Sequence, residues 1–400
     1  MSLSSPSGPV RYGMVYATVY LGTGIATPYM PAWFRSVGLD GTQIGLVLAV
    51  PMLARILTGP VVAFAADGFG QRRTPILFLA LAAATTYALL PVTANVPVIA
   101  ALWFIAATAI SSMSPLIDVV VLRRASAERF TYALPRGIGS AAYVVGNVAT
   151  GLLLIPFGAT IAVAGAAASA LLSAAAVRLL LPGDPVHDRV RLGLGERVMA
   201  FRSLLADRRF ILIIVTAGLI QGGNAFYYGF STLIWRGQGL SSGAIGLLWG
   251  LGVACEVAFL WGGEGWRRKF GPEGILIVAA TASVLRWSTL AMSPPLALLW
   301  PLQALHALTL SAPFVAALQL VDRVAPRQSA SAAQQLNAAL SSGLIMGVAT
   351  LAGGWLYDAS GARGYFLMSA MAVAGLFGAL ALRRSPELLS PAAPGLRASV

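Results

Sequence analysis

The sequence predicts an all-α membrane protein with twelve transmembrane helices in two pseudo-symmetric six-helix bundles. Three observations carry this. Hydrophobic residues make up 58% of the 400 and charged residues 10%, whereas soluble domains run at about 25% charged; mean hydropathy is +0.79. Twelve stretches are long and apolar enough to cross a bilayer, each crossing taking about 20 mostly apolar residues. A motif of the first half also recurs in the second at a constant offset of 201 residues.

The stretches cover 12–33, 43–65, 75–93, 97–122, 134–156, 158–181, 210–234, 242–263, 274–292, 295–320, 329–353 and 364–382, numbered spans 1–12. Pro28, Pro31, Pro51, Pro115 and Pro313 fall inside them, which membrane helices tolerate. The longest charged connection, Pro182–Arg209, separates six spans from six. This gives a first bundle over 1–182, a cytoplasmic connection over 183–209, a second bundle over 210–385 and a cytoplasmic tail over 386–400.

Net charge is +13, and its distribution explains it. With both termini cytoplasmic, 22 of the 27 Lys and Arg lie on that side or at helix ends facing it. Arg35, Arg236 and Arg363 lie outside, and Arg55 and Arg286 within spans. The positive-inside rule is satisfied, so the basic excess reports topology in a cell inner (plasma) membrane and not nucleic-acid binding. Met1 to Val10 is short and polar, without a basic n-region or cleavage pattern, so span 1 is expected to be retained. Cys255 is the sole cysteine, which leaves no intrachain disulfide.

The repeat reads Arg35-x-x-Gly38-Leu39-x4-Ile44-Gly45-Leu46 and Arg236-x-x-Gly239-Leu240-x4-Ile245-Gly246-Leu247. At the same offset Gly70 maps to Gly271, and Arg55 to Glu256. Two similar six-span bundles imply a site between them near the midplane.

Polar residues at helical spacing mark faces that see water. Span 1 has Tyr16, Tyr20, Thr23 and Thr27; span 5 has Arg136, Ser140, Tyr143, Asn147 and Thr150. Span 7 has Gln221, Asn224, Tyr228 and Ser231. Span 10 offers Gln303 and His306, and span 11 Gln334, Asn337 and Ser341. Spans 3, 6 and 12 carry little that is polar and read as lipid-facing. Each stripe has an alternative use in hydrogen bonding between helices.

Seven ionisable residues sit inside spans or at their ends: Arg55, Asp118, Arg136, Glu256, Arg286, His306 and Asp322. A charge at a helix centre in the bilayer costs about 2.5–3.5 kcal/mol on the lenient scales, so such residues mark paths and sites. Asp118 and Arg136 form either a salt bridge between antiparallel neighbours or a site in which Arg136 holds a substrate oxygen in a fork. Glu256, Arg286 and His306 fall on sequential spans 8, 9 and 10. Carboxyls withdrawn from water titrate near neutral pH as a class, which makes Glu256 the first choice of proton carrier, tuned by Arg286. The other reading is a static Glu256–Arg286 pair with His306 as packing. Between spans 2 and 3, Asp67, Gly70 and Arg72 form a candidate gating loop, with Gly70 allowing a tight turn and Asp67 accepting from a facing helix N-terminus.

These residues resemble a known family. The Asp67 loop is similar to the signature loop of major facilitators, Gly-x-x-x-Asp-Arg-x-Gly-Arg-Arg, with Ala63 and Gly68 in place of the Gly and Arg. More specifically, the chain resembles the phenylpropionate permease family, related to lactose permease among the oligosaccharide:proton symporters. The resemblance rests on Pro115-Leu-Ile-Asp118, Arg136-x-x-Gly139-Ser140, Ala225-Phe-Tyr227-Tyr228-Gly229-Phe230-Ser231, Glu256, Arg286-Trp287 and Gln303-x-x-His306. It implies the major facilitator fold, sugar-binding counterparts at Asp118 and Arg136, and a counterpart for sugar binding and coupling at Glu256. It also implies counterparts of the helix 9 Arg and helix 10 His at Arg286 and His306, 20 residues apart. The chain departs from lactose permease at Thr309, where a proton-carrying Glu is expected, and at Gln221 and Asn224, where helix 7 acids are expected.

The expectation is therefore a monomeric secondary transporter whose partners are a small solute, protons and the bilayer. Proton coupling is expected at Glu256, Arg286, His306 and Asp118. Substrate contacts are expected from Arg136, Tyr16, Tyr20, Tyr143, Asn147, Gln221, Asn224, Tyr228 and Asn337. An aromatic carboxylate suits the Tyr and Arg lining, and a sugar or nucleoside suits the same Tyr, Asn and Gln. No metal-ligand cluster and no nucleophile with a base occurs, so neither an enzyme nor a cofactor is expected. A membrane sensor is the remaining class, and it would need a soluble output domain.

Overall fold

The computed structural model describes residues 8–183, 194–326 and 330–384. Among them the chain is helical throughout, with no strand. Ten helices are long and apolar enough to cross a membrane. The last, Ala332–Arg384, is 53 residues long and reverses at Gly361–Gly364. Before the reversal Gly353 packs on Phe226 and Phe230; beyond it Gly375 packs on Ile220 and Gly378 on Thr216, so the chain runs back along span 7. The first helix, Gly8–Ser36, is long enough to cross at 29 residues but more polar. Counting it and the reversal gives the twelve passes read from hydropathy.

The internal repeat has a structural meaning. Gly38 and Gly239 both adopt left-handed backbone, φ +97° and +84°. Gly38 N–H donates to Arg35 O (3.2 Å) and Leu39 N–H to Phe34 O (3.1 Å); Gly239 donates to Arg236 O (3.0 Å) and Leu240 to Trp235 O (3.0 Å). This is the Schellman stop, whose glycine carries no Cβ penalty. Two residues later a side chain restarts the helix: Asp40 caps Gly41–Asp67 and Ser241 caps Ser242–Gly262. The motif thus encodes the same helix-stop-helix corner in each half. The other repeated glycine differs. Gly271 is left-handed (φ +65°), whereas Gly70 is not and would present a Cβ to open space. The turn after span 2 therefore does not need Gly70, contrary to the sequence reading.

Spans 1–6 pack mainly on one another, as do 7–12, and the sets meet along spans 2 and 11, 5 and 8, and 1 and 7. The hydrophobic clusters show where they meet. Around Met30, Trp33, Phe226, Phe230 and Trp249 a single cluster runs through both sets. Towards the basic face it divides into one around Tyr12, Tyr16 and Ile117 and another around Phe210, Ile213 and Leu320. The halves are joined at the face opposite the basic one and part towards it. Helix Leu194–Ala206 lies in the connection that the sequence reads as loop, with Leu204 seated in the second half's cluster.

Glycines make the joined face close. A Cβ on Gly45 would stand 2.8 Å from Gly354 Cα, and one on Gly246 2.9 Å from Asn147 O; small residues allow such approach between membrane helices. A charge then fastens spans 2 and 11. The Asp358 carboxylate accepts from Gly41 N–H (2.8 Å), Thr42 N–H (2.7 Å) and Thr42 Oγ1–H (2.9 Å). Asp40 accepts from Gln43 N–H (2.7 Å), so the first three free N–H groups of span 2 are all satisfied, two from the other half.

Candidate functional site

Two cavities lie between the halves, of about 520 Å3 and about 460 Å3. Tyr20, Tyr143 and Tyr228 line both and form the wall they share. The first is bounded by Thr23, Thr27, Arg55, Trp103, Ser111 and Thr350 among others. The second holds Arg136, Ser140, Trp249, Glu256, Trp261 and His306.

Behind the second cavity three titratable groups form a chain. Arg286 is fully buried, its guanidinium 4.7 Å from the Tyr227 ring centroid and 4.6 Å from that of Trp287. Its N–H groups reach Thr309 Oγ1 (2.7 Å), Gln303 Oε1 (2.6 Å) and His306 Nδ1 (2.9 Å). A guanidinium only donates, so Nδ1 accepts and the imidazole proton sits on Nε2. That Nε2 is 2.9 Å from Glu256 Oε1, and Ser311 Oγ–H donates to the other carboxylate oxygen (3.1 Å). The direct Glu256–Arg286 pair of the sequence reading is absent among the described residues; neutral His306 stands between them. Glu256 keeps 20% of its side chain exposed, towards the cavity, against 2% for His306.

The Asp118–Arg136 pair forms at 3.4 Å. Asp118 also accepts from the Tyr16 hydroxyl and from Tyr132 OH (2.8 Å). Arg136 donates to Ser114 Oγ (3.0 Å) and lies 4.7 Å from the Tyr20 ring centroid. The salt-bridge alternative therefore describes this structure. Tyr16, expected at the substrate, is instead fully buried against Asp118.

Other expected contacts are also dry. Asn147, fully buried, lies in the span 5–8 seam and donates to Tyr143 O (3.1 Å). Span 7 is broken after Gly222 and span 10 after Ala304 and Thr309. Asn224 serves both breaks, donating to Gln221 O (3.0 Å) and Thr309 O (2.9 Å). Gln221 is buried beside it. Asn337 accepts from Ser341 (3.1 Å), inside a helix that widens to a π segment over Ala339–Ile345. Arg72 is buried at the base of the loop between spans 2 and 3, the candidate gating loop; the side chain of Asp67 lies outside the described part. Asp322 lies at the basic face, exposed.

Several cavity residues escaped the sequence reading. Spans 2 and 4 supply Met52, Trp103, Ser111 and Ser114 beside the already marked Arg55, and span 3, expected to face lipid, supplies Tyr87. The signal for Arg55 was its charge at bilayer depth, and Trp103 carried none.

The profile of the MFS_1 like family matches residues 10–368, and the chain belongs to that family of membrane transporters. Its architecture and central cavity agree with this. The chain is 26% identical to the probable 3-phenylpropionic acid transporter of Escherichia coli (strain K12), covering 90% of this chain and 94% of that one. It is likewise 26% identical to the maltose permease of Geobacillus stearothermophilus, with 87% of each covered. Among solved structures the nucleoside transporter NupG superposes with a TM-score of 0.80 at 14% identity, covering 95% of this chain and 100% of that one. A D-xylose-proton symporter gives 0.66 at 16%, covering 93% and 96%. These structural likenesses establish the fold.

Proposed function

We propose that this transporter is a proton-coupled symporter that takes up a small aromatic carboxylate across the cell inner membrane. Both termini are cytoplasmic, and residues 1–182 rock against 210–385 as one monomer. The basic face is then the cytoplasmic one, and the structure is inward-facing.

The observation that carries the coupling is the Arg286–His306–Glu256 chain. Arg286 occupies His306 Nδ1, so the imidazole stays neutral while that contact lasts, and the exchangeable proton belongs on Glu256. As a carboxylate, Glu256 accepts from both His306 and Ser311 of span 10. Protonation removes the charge that draws those donors and loosens span 8 from span 10. Proton loading and the arrangement of the second half are linked in this way. The tyrosine wall, with Trp103, suits an aromatic body, and the relative named for 3-phenylpropionic acid supports the same class.

Sugar or nucleoside symport is the second reading, favoured by the hydroxyls of Thr23, Thr27, Ser111 and Thr350 around the same cavity. Proteoliposome uptake separates the two. Radiolabelled 3-phenylpropionate should accumulate under an inward proton gradient beyond the level in protein-free liposomes. Accumulation of maltose or uridine in its place would overturn the carboxylate reading.

A further inference from the structure

Arg55, Arg136 and Arg286, the arginines among the ionisable residues that mark the spans, have different surroundings. Arg286 is sealed, its forked N–H groups taken by His306, Thr309 and Gln303. Arg136 shares its charge with Asp118 at 3.4 Å, so that pair is neutral as a unit. Arg55 differs from both. It is exposed and lines the larger cavity, and among the described residues it makes no hydrogen bond and no ion pair. None of the described residues lining that cavity is an Asp or Glu. The larger cavity therefore holds one uncompensated positive charge at bilayer depth.

The repeat sharpens the contrast. Arg55 and Glu256 occupy equivalent positions, 201 residues apart. Glu256 is satisfied by His306 and Ser311 and faces the smaller cavity. Its counterpart presents a guanidinium, five donors in a planar fork, to the larger one. An unpaired charge in a membrane interior marks a functional site, its partner supplied from elsewhere. A carboxylate fits the fork in bidentate fashion.

We propose that Arg55 is the anion anchor of the central cavity, binding the carboxylate of a monoanionic substrate whose apolar body lies against Tyr20, Trp103, Tyr143 and Tyr228. This rests on the reading that the central cavity is the substrate site, and it adds the charge of the substrate and the residue that selects it.

The test uses the full chain in lipid nanodiscs and matched probes differing only in charge: 3-phenylpropionate with 3-phenylpropanamide, and benzoate with benzamide. The native protein should bind an acid about tenfold or more tighter than its amide. Arg55→Gln should erase that preference while leaving amide affinity in place, and Arg55→Lys should restore part of it. The ligand-free melting temperature of Arg55→Gln should equal or exceed the native one, since the guanidinium has no partner to lose. If Arg55→Gln keeps the preference, the proposal is overturned: the anchor is elsewhere, and the aromatic-carboxylate reading survives. If no acid outbinds its amide in the native protein, the proposal falls; binding of maltose or uridine in the same assay would remove the carboxylate reading as well. Loss of amide binding together with a lowered melting temperature would make Arg55 a structural residue and overturn the proposal.

Discussion

Replacing Asp358 with alanine is predicted to shift the transporter towards opening at the joined face. Asp358 holds three donors of span 2 at 2.7–2.9 Å, and two of them are the first free N–H groups of a helix. Hydrogen bonds to a charged acceptor contribute about 1.5–3 kcal/mol each when sheltered. This site is exposed, so a helix-cap value of about 0.5–2 kcal/mol for the whole contact is the fitting scale. A loss of about 1–2 kcal/mol changes the ratio of closed to open forms about 5- to 30-fold. A reporter cysteine at Leu48, which lines the cavity behind the seal and meets Gly229, reads this out in a Cys255→Ser background. Labelling by an impermeant maleimide from the joined face should accelerate in Asp358→Ala by that factor. Gly41→Ala should do the same, because its Cβ would stand 2.6 Å from Asp358 Oδ1. Unchanged labelling in both would refute the assignment of Asp358 as the fastener.

Two further substitutions test the fold's local logic by thermal unfolding. Asn224→Ala leaves the Gln221 and Thr309 carbonyls without their donor at about 1–3 kcal/mol each. A fall of about 2–6 kcal/mol is expected, and an unchanged melting temperature would remove Asn224 from its bridging role. Gly239→Ala forces a side chain into left-handed backbone and should cost about 1–2 kcal/mol. Gly70→Ala, where a Cβ meets nothing, should be neutral; equal effects at the two sites would contradict the corner described for the repeat.

What was legible in the sequence follows from which forces are local. Spans read out because a bilayer demands about 20 apolar residues in a row, and the repeat because a left-handed glycine and a cap shortly after it are a local code. Polar residues inside spans were visible, but their use was not. Asn224 and Asn147 have the same chemistry whether they meet a ligand, a broken helix or a facing backbone, and only the positions of the breaks decide. Span 5 shows the limit clearly: its stripe is wet at Arg136, Ser140 and Tyr143 and dry at Asn147, where span 8 closes on it. The Asp358 contact joins residues more than 300 apart and leaves no periodic trace. Arg55 stood out as a charge, but its lack of a partner is a property of the assembled cavity. The Glu256–His306–Arg286 group was found by its residue types, and its order, with His306 in the middle, needed the geometry.

If Glu256 carries the proton, as proposed, Glu256→Gln in proteoliposomes should separate proton coupling from solute movement. Gln keeps the shape and an oxygen acceptor for His306, with its NH2 donating to the Ser311 hydroxyl in place of the second carboxylate oxygen, but it cannot carry a proton at this position. Accumulation of labelled 3-phenylpropionate under an inward proton gradient should be lost, while equal-concentration exchange of the same solute across the membrane is retained. Gradient-driven accumulation that survives the substitution would rule out Glu256 as the carrier and move the proton to another group.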